Sequence, residues 1–175
     1  MILKGEKVIL RPIKLSDARR FVKWLDDPQV NKFTTLQKIS LKEEIAWIEN
    51  LAKSKDINFA IDTKEKVHIG SIGLHLKLKN RNAVYGILIG DKKYWGGGYG
   101  TDATKLILQY GFNKLKLHKI TLNVYSYNPR AINLYLDMGF ELEGIKKEQI
   151  FYQGKFYTEF SMGLLSKKWK KMKKK

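Results

Sequence analysis

Four glycines stand within five residues, at positions 96, 97, 98 and 100 of the segment YWGGGYGTDA (94–103). Glycine loses more backbone entropy on folding than other residues, so such a cluster usually marks a place where a ligand approaches the main chain closely. A helical pattern follows at once, and the first turn of a helix presents unpaired N–H groups and a positive dipole end. The pattern favours an anion site, above all for phosphate. The alternative is a ligand-free turn between a strand and a helix, for which one glycine would suffice.

The segment fits neither of two common nucleotide-binding motifs. A Walker-type loop requires Lys and then Ser or Thr after its last glycine, whereas Gly100 is followed by Thr101 and Asp102. The dinucleotide fingerprint G-x-G-x-x-G/A matches residues 98–103, but that motif opens a β-α-β unit and precedes an acid by about 20 residues. Here the loop follows an antiparallel meander, and the later region reads HKITLNVYS (118–126). Both motifs are therefore disfavoured.

The composition indicates a globular protein with a buried core. The 175 residues are 43% hydrophobic and 12% aromatic, and there is no cysteine for disulfides or thiolate chemistry. His68, His75 and His118 lack metal-ligand spacing, so no metal site is predicted. No apolar run has the length of a membrane helix, and the start MILKGEKVILRP (1–12) is too charged for a signal peptide. We predict a cytoplasmic protein without membrane contact.

The net charge of +17 is partly concentrated in residues 167–175 (KKWKKMKKK), which contain seven lysines. We predict one domain over residues 1–166 and a solvated lysine-rich tail over 167–175 that contributes no core face. A basic surface also attracts nucleic acid, so contact with nucleic acid or the ribosome stays open, as does a homodimer. A basic nucleic-acid-binding module without catalysis is the alternative function.

Hydrophobic spacing, helix caps and turn residues place the elements that must position the loop. The predicted strands cover 7–14, 57–62, 67–79, 83–90 and 119–126, with two more around the turn YQGK (152–155). The predicted helices cover 17–27 after a cap at Ser16, 41–54 after a capping box of Ser40 and Glu43, 101–114 and 128–140. This order predicts an α+β fold with a mixed, mostly antiparallel sheet of about seven strands flanked by about four helices.

Three segments, in order along almost the whole chain, resemble one enzyme family. The loop YWGGGYGTDA is similar to the acyl-coenzyme A pyrophosphate loop of the GNAT superfamily of N-acetyltransferases, with Gly98, Tyr99 and Gly100 closing its x-x-x-G-x-G/A core. Trp95 stands where many members have Gln or Arg, which is typical of the branch that acetylates ribosomal-protein amino termini and polyamines. The segments LRPIKLSDA (10–18) and KLHKITLNVYSYNPRAINLYLDMGFELEG (116–144) resemble the same branch.

The resemblance implies a GNAT fold and acetyl-coenzyme A as the acyl donor. It implies that the strand before the loop splays from the next strand, and that pantetheine pairs like an added strand with main chain around Ile87, Leu88 and Ile89. The pyrophosphate would bind amides of the loop, which are those of Gly96, Gly97, Gly98, Tyr99, Gly100 and Thr101. Asn128 is implied near the pantetheine arm. Candidates for positive charge near the phosphates are Lys92, Lys93 and Arg130.

Acetyl transfer to an amine requires a neutral nucleophile, stabilisation of the oxyanion and a proton for the departing thiolate. Tyr135 matches the family tyrosine that supplies this proton. The helical spacing of Ala131, Leu134, Tyr135 and Met138 also fits the alternative of a core aromatic.

The general base is not assigned. Val84 stands where related sequences often have Glu. Four alternatives stay open, which are Asp91, Glu159, a chain of waters, or an amine that arrives already neutral. The predicted acceptor is a primary amine, which is a peptide N terminus, a polyamine or another small amine, acetylated by direct transfer. The charge of +17 should slow a polycation such as spermine, which slightly favours a peptide N terminus or a small amine.

Overall fold

The computed structural model describes residues 1–34 and 39–173, and within them eight strands and six α-helices. The strands are β1 (Leu3–Lys4), β2 (Val8–Pro12), β3 (Ile57–Thr63), β4 (His68–Lys77), β5 (Asn82–Ile89), β6 (Lys119–Tyr125), β7 (Glu141–Tyr152) and β8 (Lys155–Leu165). The helices are α1 (Ala18–Asp26), α2 (Pro28–Asn31), α3 (Leu41–Asn50), α4 (Tyr99–Gln109), α5 (Pro129–Asp137) and α6 (Ser166–Met172). A π-helical turn, Tyr110–Lys114, continues α4. No helix in this described part of the chain has the length and hydropathy needed to cross a membrane.

The described strands form one mixed sheet in the order β1-β2-β3-β4-β5-β6-β8-β7. The β5–β6 pair is parallel, whereas the pairs β1–β2, β2–β3, β3–β4, β6–β8 and β7–β8 are antiparallel. The predicted α+β class with a mostly antiparallel sheet is therefore confirmed. The additional elements are β1, α2 and α6; the first two have two and four residues, too few to show a hydrophobic period.

The chain divides into two compact units, and the first comprises residues 1–75 and 86–107. It holds the antiparallel ladder from β1 to β4, the helices α1 to α3 and the glycine loop. Its helical core is a cluster of buried apolar side chains, which are Ala18, Phe21, Trp24, Val30 and Ile48. Leu88 and Trp95 pack against this cluster, so the strand and the loop that flank the glycines rest on the helices.

Local caps set the helix starts in this unit, with one difference from the prediction. The amide of Ser40 donates to the carboxylate of Glu43 (2.7 Å), and the amide of Glu43 donates to the Ser40 hydroxyl (3.3 Å), which confirms the capping box. The predicted cap at Ser16 is wrong. Ser16 lies inside a 3₁₀ turn (Leu15–Asp17) and α1 begins at Ala18, because the Asp17 carboxylate accepts from the Lys14 amide (2.8 Å) and closes that turn.

The second unit comprises residues 76–85 and, in the described range, 108–173. It holds β6, β8 and β7 with the start of β5, and the helices α5 and α6. The β7–β8 hairpin turns at Gln153 and Gly154, whose φ angles are 49° and 77°. Two positive φ angles in succession match the twist of a tight hairpin, which explains the glycine at this turn.

The lysine-rich end differs from the prediction of a solvated tail without a core face. Residues 166–172 form α6, and Trp169 is 4% exposed with its ring 5.8 Å from that of Phe112. The Met172 side chain lies against Gly139, at the position that a side chain there would occupy. The lysines therefore surround a buried aromatic anchor. Lys174 and Lys175 lie outside the described residues, and the domain boundary at residue 166 stays a prediction.

Candidate active site

The glycine loop has a backbone that requires glycine at two positions. Gly96 and Gly98 have φ angles of 78° and 81°, in the left-handed region that other residues rarely adopt. A side chain at Gly96 would meet no atom within 4 Å, so the main chain there is open to an approaching group. The amide of Asp102 bonds to the carbonyl of Gly98 (3.0 Å), and the amides of Tyr99 to Thr101 precede this first bond of α4. These are the amides that a helix start offers to an anion.

Asp102, an acidic residue in the first turn of α4, has a structural role. The carboxylate of Asp102 accepts from the amides of Lys7 (2.8 Å) and Val8 (3.0 Å) at the start of β2. Any side chain at Gly5 would collide with this carboxylate. Asp102 therefore fixes α4 to the edge of β2, and its charge is neutralised in part by two amide dipoles.

Lys7 is a positive group near the loop that the sequence did not reveal. Its Cε lies 3.6 Å from the position that a Cβ at Gly98 would take, and its Nζ lies 5.8 Å from the centre of the Tyr99 ring. Lys92, in contrast, pairs with Asp27 (2.7 Å) and donates to Gln29 (3.1 Å). Lys7 therefore has the better placement for a charge beside the loop, and Lys92 a role in joining the loop to α2.

The main chain of β5 presents its groups alternately to its two edges. The amide of Gly90 donates to the carbonyl of Ile69 on β4 (2.9 Å), and the carbonyl of Leu88 lies close to Gly70 of β4. By this alternation the peptide groups of Ile87 and Ile89 face the other edge. The carbonyl of Ile89 already accepts from the indole N–H of Trp95 (2.7 Å). Of the three residues expected to pair with pantetheine, Leu88 thus faces β4, and pairing around Ile87, Leu88 and Ile89 stays a prediction.

The parallel ladder between β5 and β6 covers only the start of β5. Its paired residues are Asn82 with Lys119, Ala83 with Ile120 and Val84 with Thr121. This is what a splayed pair of strands requires, since β5 continues to Ile89. Val84 therefore lies at the end of this ladder, opposite a threonine.

Tyr135 lies on the buried face of α5 in the second unit. It is 7% exposed, and its ring makes edge contacts with Tyr85 (5.7 Å between centroids) and Phe140 (5.9 Å). Burial raises the pKa of Tyr135 to about 12, so the phenol is fully protonated near neutral pH. An enclosed, protonated phenol can donate a hydrogen bond to a developing anion, and the same packing also fits the core aromatic that the spacing allowed.

Asn128 and Arg130 lie at the start of the same helix. Asn128 is the N-cap of α5, and its side-chain oxygen accepts from the amide of Ala131 (3.2 Å). Pro129 follows at the first helical position, where its missing N–H costs nothing. Asn128 therefore sets the direction of the helix that carries Tyr135, and its contact with pantetheine stays a prediction. Arg130 is exposed in the first turn.

The two carboxylates left open as bases have different surroundings. Asp91 caps the 3₁₀ turn Lys92–Tyr94, and its side chain accepts from the Lys93 amide (3.2 Å). Glu159 is buried on β8 and pairs with the ammonium of Lys146 on β7 (2.5 Å). Asp91 therefore has a structural role, whereas Glu159 is a buried charge whose partner comes from a flexible side chain.

The first unit holds the predicted cofactor residues from Ile87 to Thr101, with Lys7 beside them. The second unit holds Asn128, Arg130 and Tyr135 on one helix.

The chain matches a known protein family. The model of the acetyltransferase (GNAT) domain family matches residues 7–141. The uncharacterized N-acetyltransferase YoaA of Bacillus subtilis is 29% identical over 163 residues, which are 89% of this chain and 92% of the relative. The spermidine N(1)-acetyltransferase of Vibrio cholerae is 28% identical over 83% of this chain and 80% of its own.

A solved structure of a spermidine N-acetyltransferase has the same fold as this chain. The spermidine N-acetyltransferase from Vibrio cholerae in complex with CoA and spermine superposes with a TM-score of 0.84 and 26% identity, over 93% of this chain and 97% of that one. The open glycine loop, the amides of the α4 start and the nearby Lys7 fit the pyrophosphate of such a ligand. The chain belongs to the GNAT acetyltransferase family and is an N-acetyltransferase that uses acetyl-coenzyme A as its acyl donor.

Proposed function

We propose that this enzyme transfers the acetyl group directly from acetyl-coenzyme A to a primary amine: a polyamine, another small amine or a peptide N terminus. The observation that carries the proposal is Tyr135, a buried and protonated phenol on the helix that Asn128 caps. The relatives add support for an amine acceptor, because one is named a spermidine N(1)-acetyltransferase and one solved structure holds CoA and spermine.

The reaction forms a bond between the amine nitrogen and the acetyl carbon and breaks the carbon–sulfur bond of the thioester. The nitrogen loses one proton and the thiolate gains one, so no proton is consumed overall. Tyr135 donates a hydrogen bond to the sulfur as charge develops on it, and then its proton. The solvent accepts the proton of the amine and restores that of the phenol.

The pKa of Tyr135 decides when this donor acts. The pKa of Tyr135, about 12, lies above the pKa of about 8.5 for a free thiol. Transfer of a proton from the phenol to the thiolate is therefore unfavourable by itself, and it is completed when the resulting phenolate takes up another proton. At neutral pH the phenol and the thiol are both protonated at equilibrium, so a proton from solvent completes the transfer. Tyr135 therefore contributes mainly in the transition state, where the sulfur carries most charge, and little in the ground state.

Binding of the donor falls to the first unit. The amides from Gly96 to Thr101 bind the pyrophosphate in this proposal, with Lys7 as the nearby cation, and the peptide groups of Ile87 and Ile89 pair with pantetheine. In the second unit, Asn128 and Arg130 stay predicted cofactor-binding residues. A cytoplasmic location, a homodimer and contact with nucleic acid or the ribosome stay predictions.

The variant Tyr135→Phe tests the role of the hydroxyl. We expect kcat to fall roughly ten- to a thousand-fold, the scale of a positioned general acid. The KM for acetyl-coenzyme A should change little, because the phenylalanine ring still fills the space between Tyr85 and Phe140. Initial rates of thiol release with the best amine acceptor measure both constants. Near-normal kcat with a lowered melting temperature would show that Tyr135 is a core aromatic only.

A further inference from the structure

Four tyrosines of the second unit surround one another at the end of β6. Tyr127 is the hub of this tyrosine cluster, since its ring centroid lies 5.3 Å from that of Tyr125, 5.2 Å from Tyr152 and 4.8 Å from Tyr157. The Tyr152 ring stacks on Tyr127, and the Tyr157 ring meets it edge-on. The four residues come from β6, β7 and β8 and the turn after β6. Their π faces form an electron-rich surface.

The register of the sheet places a carboxylate beside these rings. Glu159 of β8 stands directly opposite Tyr125 of β6, and Tyr157 is two residues away on the same face of β8. The side chain of Glu159 is only 9% exposed. Aromatic faces together with a buried carboxylate are the chemistry that recognises an organic cation.

The cation present at this carboxylate is the end of a flexible side chain. Lys146 stands opposite Glu159 in the β7–β8 ladder, and its Nζ lies 2.5 Å from Glu159 Oε1. The Lys146 side chain is 45% exposed, so its ammonium can move into solvent without disturbing the packing of other side chains. The Lys146 ammonium on its butyl stem is chemically the same group as the protonated end of an alkyl amine. Its position shows that such a group fits against Glu159.

We propose that Glu159 and the tyrosine cluster form an ammonium subsite for the acceptor, and that Lys146 fills this subsite until the acceptor displaces it. This inference rests on the proposed function. The amine that reacts must be neutral, whereas the group bound at Glu159 is charged. The acceptor class is therefore an alkyl amine with at least two amino groups, one held as ammonium and one acetylated.

The chain connects this subsite to the helix of the proton donor. Tyr127 directly precedes Asn128, which caps α5, and α5 carries Tyr135. In this role Glu159 binds the substrate and is not the general base, which stays unassigned. In this proposal Lys146 competes with the substrate for Glu159. It therefore weakens substrate binding.

Calorimetric titration of the enzyme saturated with coenzyme A tests the subsite without turnover. The probes are putrescine and butylamine, which share a carbon chain and differ by one amino group. In Glu159→Gln, we expect putrescine to bind about 10- to 100-fold more weakly, the scale of a lost charge-assisted hydrogen bond, and butylamine to change much less. In Lys146→Met, putrescine should bind more tightly than in the wild type, because the internal competitor is gone.

Glu143→Gln is the matched control. Glu143 lies on the neighbouring strand β7 and, like Glu159, pairs with a lysine (Lys119, 2.7 Å), but it is outside the tyrosine cluster. Its putrescine affinity should equal that of the wild type. Unchanged putrescine affinity in Glu159→Gln, or weaker binding in Lys146→Met, would overturn the subsite.

These outcomes are separable from the proposed function. If the wild type acetylates amines while Glu159→Gln binds putrescine normally, the proposed function stands and the subsite is wrong. If no amine is acetylated while Glu159→Gln loses putrescine binding, the subsite stands and the proposed function is wrong. If Glu159→Gln does not fold, the direction of the change in Lys146→Met decides.

Discussion

At the scale of single residues, Tyr135 links the chemistry to the stability of the protein. Burial raises its pKa in the folded state to about 12, from about 10 in the unfolded chain. The folded state thus holds the phenolic proton more tightly. Its contribution to the free energy of unfolding is complete below about pH 10 and is lost as the pH rises towards about 12.

This linkage predicts that Tyr135→Phe is less sensitive to alkali than the wild type. The free energy of unfolding from urea titrations at pH 8 and pH 11, values chosen on either side of the unfolded pKa of about 10, measures the effect. The wild type should lose more stability between the two conditions than the variant does. Equal losses would mean that the phenol is not buried as the structure has it.

At the scale of elements, one buried ionic network joins β2, β3 and the turn before α1. The guanidinium of Arg11 binds the Asp17 carboxylate (2.7 and 2.9 Å) and, through Nε, that of Asp62 (2.7 Å). Burial acts to raise the pKa of Asp17, but hydrogen bonds from Arg11 and from the Lys14 amide outweigh it and hold the pKa below its usual value. His68 lies beside Asp17 (3.3 Å), and burial lowers the pKa of its imidazole.

Removal of the Arg11 guanidinium from this network should lower the free energy of unfolding. Arg11→Leu leaves two carboxylates buried without their partner, and we expect a loss of about 3 kcal/mol or more in the free energy of unfolding. Arg19→Leu is the control, because Arg19 is exposed on α1. Urea denaturation measures both, and a loss in Arg11→Leu no larger than in the control would contradict the network's role.

Elements and residues differ in how far the sequence predicts them. The capping box of Ser40 and Glu43 and the glycine loop are encoded within a few residues, and both were predictable. The start of α1 was not, because the Asp17 carboxylate that closes the preceding 3₁₀ turn with the Lys14 amide is also held by Arg11 of β2, a long-range partner. Lys7 escaped prediction for the same reason, since its place beside Gly98 depends on the long-range contact of Asp102 with β2.

The pair of Lys146 and Glu159 shows a further limit of the sequence. The two residues face each other only because of the register of β7 against β8, and that register shifts between Lys146 and Ile150. A shift of one residue would move either side chain to the other face of the sheet. Strand existence and the hairpin turn are local signals, whereas the register of a bulged pair is not.

At the scale of the whole molecule, membership of the GNAT family overturns the alternative of a nucleic-acid-binding module without catalysis. The charge of +17 keeps its physical consequences for approaching ions, but the lysine-rich end also has a structural role. Trp169 of α6 packs on Phe112. The composition of residues 167–175, seven lysines and one tryptophan, does not predict this buried contact.

The role of α6 can be separated from its charge. Trp169→Ala should lower the free energy of unfolding by about 3–5 kcal/mol, the cost of removing a large buried aromatic. The double variant Lys170→Gln with Lys171→Gln removes two exposed charges and should leave stability within about 0.5 kcal/mol of the wild type. Denaturant midpoints for the two proteins measure this. A tryptophan variant as stable as the lysine variant would restore the view of a solvated tail.

Direct transfer of the acetyl group to an amine is tested by the stoichiometry of the reaction catalysed by the wild-type enzyme. Acetyl-coenzyme A is incubated with putrescine, butylamine or a peptide with a free N terminus, and thiol release is compared with the acetylated amine found by mass spectrometry. Direct transfer predicts one acetylated amine for each thiol released, at a rate that depends on both substrates. Thiol release without any acetylated amine, or no release with any acceptor while coenzyme A binds, would contradict direct transfer to an amine.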